Sequence, residues 1–188
     1  MIVGNKTILN PVIRQHRAKL FYWRNDRALL RLTGEYQPIS EAAHDQWMDS
    51  VVKRADMFIF VILERGENRP IGYCFLSNVS PVHRNAKLGI AIGEADHRDK
   101  GYGSDALRGL VDFGFRDLNL ERIWLDVFTD NARAIHVYEK LGFCHEGSLR
   151  RHYFVEGRYR DALVMGLLRH ERPDDASTHA ARPGAASR

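Results

Sequence analysis

The feature that most constrains this chain is a glycine loop set between a strand and a helix. An alternating apolar run ends at Gly93, and Arg98-Asp99-Lys100-Gly101-Tyr102-Gly103-Ser104 then leads into a stretch with apolar residues at Leu107, Leu110, Val111, Phe115 and Leu118. That spacing predicts a helix over 103–118. Glycines let the backbone approach a ligand and take up conformations closed to other residues. The first amides of a helix are unpaired and lie at the positive end of its dipole. The loop therefore reads as an anion cradle suited to a pyrophosphate, to which Arg98 can add a charge-assisted bond. A tight solvent loop is the plain alternative. Gly101-Tyr-Gly103-Ser-Asp-Ala106 also fits the dinucleotide fingerprint Gly-x-Gly-x-x-Gly/Ala, but those glycines follow a strand directly within a parallel β–α–β unit. Here Glu94, Asp96 and Asp99 intervene, and the strands upstream read as antiparallel.

Those upstream strands are expected at 57–63, 71–79 and 87–93, after a first strand at 7–12 and an N-terminal helical region. In that region Trp47, Met48, Val51 and Val52 recur at helical spacing behind Ser40 as N-cap. Downstream, 122–128 alternates Ile123, Leu125 and Val127 against Trp124, Asp126 and Phe128, which predicts a strand. A short helix at 131–141 is capped by Asn131 and ended by Gly142. Two closing strands, 143–150 and 158–168, flank a turn at Glu156-Gly157. The sum is a mixed α/β domain over 1–170. Residues 173–188, with no large apolar side chain, mark 171–188 as a disordered tail.

The 188 residues suffice for one domain with a core, and the formal charge is +4. Arginines are spread along the chain and form no basic block, so nucleic acid is not expected as a partner. A phosphate-bearing ligand fits the charge better than a polycation does. The longest apolar run, 57–63, is too short to span a membrane, and the N-terminus lacks the features of a secretory signal. Two cysteines, Cys74 and Cys144, make no disulfide framework, and both are expected as buried free thiols in a reducing cytoplasm. The nine histidines show no metal-ligand spacing, so no metal is expected.

Arg98-x-x-Gly101-x-Gly103 resembles the Arg/Gln-x-x-Gly-x-Gly/Ala signature of the GNAT acetyltransferase superfamily. Asn131-Ala-Arg-Ala134-Ile-His-Val-Tyr138-Glu-Lys140-Leu-Gly142-Phe143 resembles that family's second pattern, Asn-x-x-Ala-x-x-x-Tyr-x-Lys-x-Gly-Phe. The likeness covers about 23–168. Trp23-Arg24-Asn25-Asp26, Val82-His83-Arg84 and the Glu156-Gly157-Arg158-Tyr159-Arg160-Asp161 ending resemble the branch that holds spermidine, ribosomal-protein N-terminal and nucleotide-amino-sugar acetyltransferases.

The resemblance implies a GNAT fold: a mostly antiparallel central sheet with a splayed parallel strand pair and flanking helices. It implies acetyl-CoA as acetyl donor, held by Ala91, Ile92 and Gly93 along the pantetheine arm and by Arg98, Asp99, Lys100, Gly101, Tyr102, Gly103 and Ser104 at the pyrophosphate. Asn131 and Ala134 would line the other wall, and Lys140 would approach the phosphates. Tyr138 takes the family's general-acid role, protonating the departing thiolate; read alone, it is equally a core aromatic in a stripe with Ile135 and Leu141. A backbone N–H at Ala91 or Ile92 would face the oxyanion. Relatives often carry a Glu base where this chain has Lys87. Glu35, Asp26, His83, a water relay or an already neutral amine are the alternatives, and Glu35 is the expected acceptor contact. Arg150-Arg151-His152 is either a solvated strand face or a contact for a phosphate on the acceptor. The expected function is acetylation of a primary amine on a small molecule: an amino sugar, nucleotide sugar, antibiotic or polyamine. A ribosomal-protein or peptide N-terminus is the second acceptor class, and a non-catalytic acetyl-CoA-binding module the alternative of another kind. Relatives of this branch also imply a homodimer.

Overall fold

A computed structural model describes residues 1–34, 37–51 and 53–172. Strands β1 (Ile2–Val3) and β2 (Thr7–Pro11) are followed by helices α1 (Arg17–Asn25), α2 (Arg27–Thr33) and α3 (Glu41–Val51). Then come β3 (Met57–Glu64), β4 (Pro70–Ser80), β5 (Asn85–Ile92), α4 (Tyr102–Arg116), β6 (Arg122–Phe128), α5 (Ala132–Lys140), β7 (Cys144–Val155) and β8 (Arg158–Leu168). Among the described residues the strands form one sheet in the order β1-β2-β3-β4-β5-β6-β8-β7. Every neighbouring pair is antiparallel except β5–β6. This is the mixed α/β architecture expected.

The sheet is covered on both faces. On one, α4 and α5 pack Leu107, Leu110, Phe115 and Tyr138 against Ile62, Leu76, Ile123 and Leu125. On the other, Leu20 and Trp23 of α1 and Met48 of α3 meet Val61, Leu63 and Ala91. Central β3 contributes to both layers, Phe60 and Ile62 to the first, Val61 and Leu63 to the second. That double duty is why its sequence is continuously apolar and shows no alternation. β6 does alternate, with Ile123, Leu125 and Val127 in the α4 layer. Trp124 and Asp126 are consequently turned to the opposite face.

The expected caps are present. Ser40 Oγ accepts the Ala43 N–H at 3.2 Å, Asn131 Oδ1 accepts that of Ala134 at 3.2 Å, and Gly142 is left-handed with φ 94°. β7 runs to Val155, beyond the expected end at 150, because almost every residue of this edge strand is exposed and no buried alternation marks its course. The same openness corrects the reading of Cys144, which is exposed; Cys74 alone is buried, and burial pushes its thiol up. Arg169–Glu171 forms a 3-10 turn, and Arg172 is buried with an ion pair to Asp112 of α4. Of the tail expected at 171–188, residues 173–188 lie outside the described residues. None of the described helices is long and apolar enough to cross a membrane.

Candidate active site

The site begins where the one parallel pair comes apart. β5 and β6 are in register only at Asn85–Arg122, Ala86–Ile123 and Lys87–Trp124. Beyond Lys87, β5 pairs only with β4; beyond Trp124, β6 pairs only with β8. A wedge therefore opens between Leu88–Ile92 and Leu125–Phe128, with strand backbone groups left unpaired along its sides. Such groups need a partner, and an extended polar ligand threading the wedge supplies one. Ala91, Ile92 and Gly93 lie at its wide end. Gly93 is required there because a Cβ would fall inside the Trp23 ring, which is wholly buried beneath it and donates Nε1–H to Glu94 Oε1 at 3.0 Å. Gly93→Ala is expected to lower unfolding free energy by about 1–3 kcal/mol through overpacking, measured by urea denaturation.

The loop after β5 delivers the chain to α4. Gly101 is left-handed (φ 84°) and no side chain caps the helix, whose first internal bond runs from Asp105 N–H to Gly101 C=O. The amides of Tyr102, Gly103 and Ser104 are thus without intrahelical acceptors at the positive end of a fifteen-residue helix. This cradle fits a pyrophosphate. Within the chain, Arg98 Nε and Nη2 donate to the carbonyls of Ile92 and Gly93, both at 3.0 Å, clipping the loop onto the end of β5. Asp99 pairs with Arg133 of α5, and Lys100 C=O accepts from Lys6 Nζ at 2.7 Å, so both residues also brace the loop. Asn131 caps α5, Ala134 follows in its first turn, and Lys140 is exposed at its far end.

A charged network invisible in the sequence holds the same loop from behind. Tyr102 donates its hydroxyl to Glu64 at 2.5 Å, and the ring nitrogens of buried His97 face Glu64 (3.1 Å) and Asp96 (2.8 Å). Burial works to lower His97, but the two carboxylates outweigh it and raise the imidazole above its ordinary 6.5. A raised histidine stabilises the fold fully below the unfolded value and loses that contribution as pH rises through the folded one. The stability gap between the native chain and His97→Gln is therefore expected to be largest below pH 6.5 and to shrink above it, as thermal unfolding at several pH values will show.

Tyr138 is buried in α5, its ring edge-on to Phe143 at 5.9 Å. Burial pushes its phenol up to about 12, and the charge of Asp126 adds to the effect. The hydroxyl therefore keeps its proton at neutral pH and is present as a donor.

The remaining sequence candidates are dispersed. Glu35 lies outside the described residues. Asp26 is the N-cap of α2, accepting from Ala28 N–H at 2.9 Å, and His83 is exposed in the turn before β5. Arg150, Arg151 and His152 sit on the open edge strand β7. Sequence reasoning passed over Asp126. It lies on β6 two residues beyond Trp124, ion-pairs with Lys87 and accepts the Tyr153 hydroxyl. Its only sequence signal is a carboxylate inside a strand whose other residues past Arg122 are apolar.

Residues 6–144 match the family described as acetyltransferase (GNAT) domain. The chain is 35% identical over 107 residues to spermidine N(1)-acetyltransferase of Vibrio cholerae, an alignment spanning 57% of this chain and 61% of that protein. It is 33% identical over 131 residues to the Escherichia coli K12 spermidine N(1)-acetyltransferase, covering 65% and 70% respectively. The fold superposes on the crystal structure of the V. cholerae spermidine N-acetyltransferase in complex with CoA and spermine with a TM-score of 0.84 at 27% identity, over 89% of this chain and 98% of that one. With three quarters of its length in one family's pattern and its fold shared almost throughout, this chain belongs to the GNAT family of acetyl-CoA-dependent N-acetyltransferases.

Proposed function

We propose that this protein transfers the acetyl group of acetyl-CoA to a primary amine of a small molecule, with a polyamine of the spermidine type as the favoured acceptor. The observation that carries the reading is the continuity of the strand wedge, the uncapped start of α4 and the proton-bearing Tyr138. Acetyl-CoA brings an activated acyl carbon and a thiolate leaving group. The chain's own residues do the rest. The amides of Tyr102, Gly103 and Ser104 hold the pyrophosphate, and the stretch Gly89–Ile92 of β5, past its pairing with β6, orients the arm and faces the carbonyl oxygen. Tyr138 returns a proton to sulfur. The names of the relatives support the polyamine. We further place the protein in the cytoplasm as a self-associating assembly. The support is the exposed edge of twelve-residue β7, with Phe154 on it and Tyr159 on the adjoining β8 open to solvent, together with a V. cholerae relative solved as a dodecamer.

The test is CoA release, read with a thiol reagent, against spermidine, spermine, simple alkylamines, amino sugars and N-terminal peptides. Release with small amines and none with peptides is expected. Release with peptides alone would transfer the acceptor to a protein N-terminus, and acetyl-CoA binding without release by any amine would favour the binding-module reading.

A further inference from the structure

We propose that Asp126 is the subsite for the acceptor's primary ammonium, and that Lys87 fills it in the acceptor's absence as a tethered substitute. This rests on the function proposed above and names the group that receives the amine.

The Asp126 side chain is only 5% exposed, whereas that of Lys87 is 31% exposed. A carboxylate so enclosed needs a counter-charge. It has one in Lys87 Nζ, and its other oxygen accepts from the Tyr153 hydroxyl. The surroundings are those of a cation site. Lys87 Nζ lies 5.4 Å from the Trp124 ring centre, while the Phe128 ring carries the Arg160 guanidinium at 3.6 Å. Aromatic rings beside a carboxylate attract an ammonium in just this way.

Position gives the pair its meaning. Lys87 is the last residue of β5 in register with β6, and Asp126 lies past the point of separation. The ion pair therefore spans the throat of the wedge, and the Asp126 charge is felt at Tyr138. An amine docked on Asp126 is placed at the throat of the wedge, where β5 and β6 separate. The exchange is like for like, one primary alkylammonium for another, so the buried carboxylate never stands uncompensated. Lysine suits this role: its ammonium is a point charge on a flexible stem, whereas an arginine fork would lock onto the carboxylate. The lysine's partial exposure leaves it a route to water when displaced.

The proposal is tested by calorimetric titration of spermidine, and separately of n-butylamine, into the CoA-loaded protein. Lys87→Met is expected to bind both amines at least five-fold tighter than the native chain, and Asp126→Asn at least ten-fold weaker. Lys87→Arg should bind more weakly than the native chain, although a merely structural tie would be kept or strengthened by it. Asp126→Asn leaves Lys87 without its counter-charge and is prone to unfold, so Lys87→Met/Asp126→Asn is measured with it and should bind no tighter than Asp126→Asn. Unchanged or weaker amine binding by Lys87→Met overturns the proposal, as does native-like binding by the double variant. CoA release from acetyl-CoA in the same samples tests the proposed function separately. A silent enzyme with this order of amine affinities keeps the subsite, and an active one without it loses the subsite alone.

Discussion

Replacing Tyr138 by Phe is expected to lower kcat by about a hundred- to a thousand-fold, the range a positioned general acid supplies, equivalent to about 3–4 kcal/mol of barrier. The fold should hardly notice. The ring keeps its packing against Phe143, and burial and the Asp126 charge, not a hydrogen bond, set the state of the phenol. Unfolding free energy is therefore expected to stay within about 1 kcal/mol of the native value, inside the usual range for a volume-conserving core change. Acetyl-CoA affinity should be unchanged, because the wedge and the start of α4 are untouched. The pH profile adds an independent check. A phenol at about 12 stays protonated well beyond its ordinary 10.0, so no loss of rate should track Tyr138 between pH 8 and 10. Steady-state kinetics with a folded, acetyl-CoA-binding Tyr138→Phe protein decide the matter, and native turnover in that variant would remove Tyr138 from the chemistry.

How much of this was legible beforehand follows from where each signal resides. Loop and cap chemistry is local: Gly101 at its left-handed position, Asn131 at its cap and the 3.6-residue stripe of α4 are each written in a few consecutive residues. Continuous apolar runs located β3 and β4. What escaped depends on strands far apart in sequence meeting in the sheet. That Arg98 clips the loop to the end of β5 shows only once two carbonyls are seen to face its guanidinium. Lys87 reads as a missing base until the register places it across from β6, with Asp126 thirty-nine residues away. Cys144 reads as buried because its neighbours are apolar, yet β7 is an edge strand with both sides open. His97 announces nothing at all: Asp96 is its neighbour in sequence, but Glu64, which faces its other ring nitrogen, comes within reach only when β3 meets the loop.

The largest loss of stability is expected at Asp105, which no pattern singled out. One oxygen accepts the Asn5 N–H at 3.1 Å; the other accepts the N–H groups of Lys6 and Thr7, both at 2.9 Å, and the Thr7 hydroxyl at 2.7 Å. One carboxylate in the first turn of α4 thus holds the whole entry to β2. Asp105→Ala leaves three backbone donors without their acceptor, at about 1–3 kcal/mol each, so a loss of about 3 kcal/mol or more is expected. For a chain of this size that is a fall in Tm of about 6–12 °C, and acetyl-CoA should bind more weakly because the start of α4 loses its brace. Burial works to raise Asp105, but its hydrogen bonds overcome that and hold it below the ordinary 3.8. A depressed carboxylate contributes stability above its unfolded value and loses it as pH falls through the folded one. The stability gap between the native chain and Asp105→Asn should accordingly be full at neutral pH and close below pH 3.8. A gap that persisted in acid would mean that the side chain acts through its shape, and that its charge does not hold β2 to the start of α4.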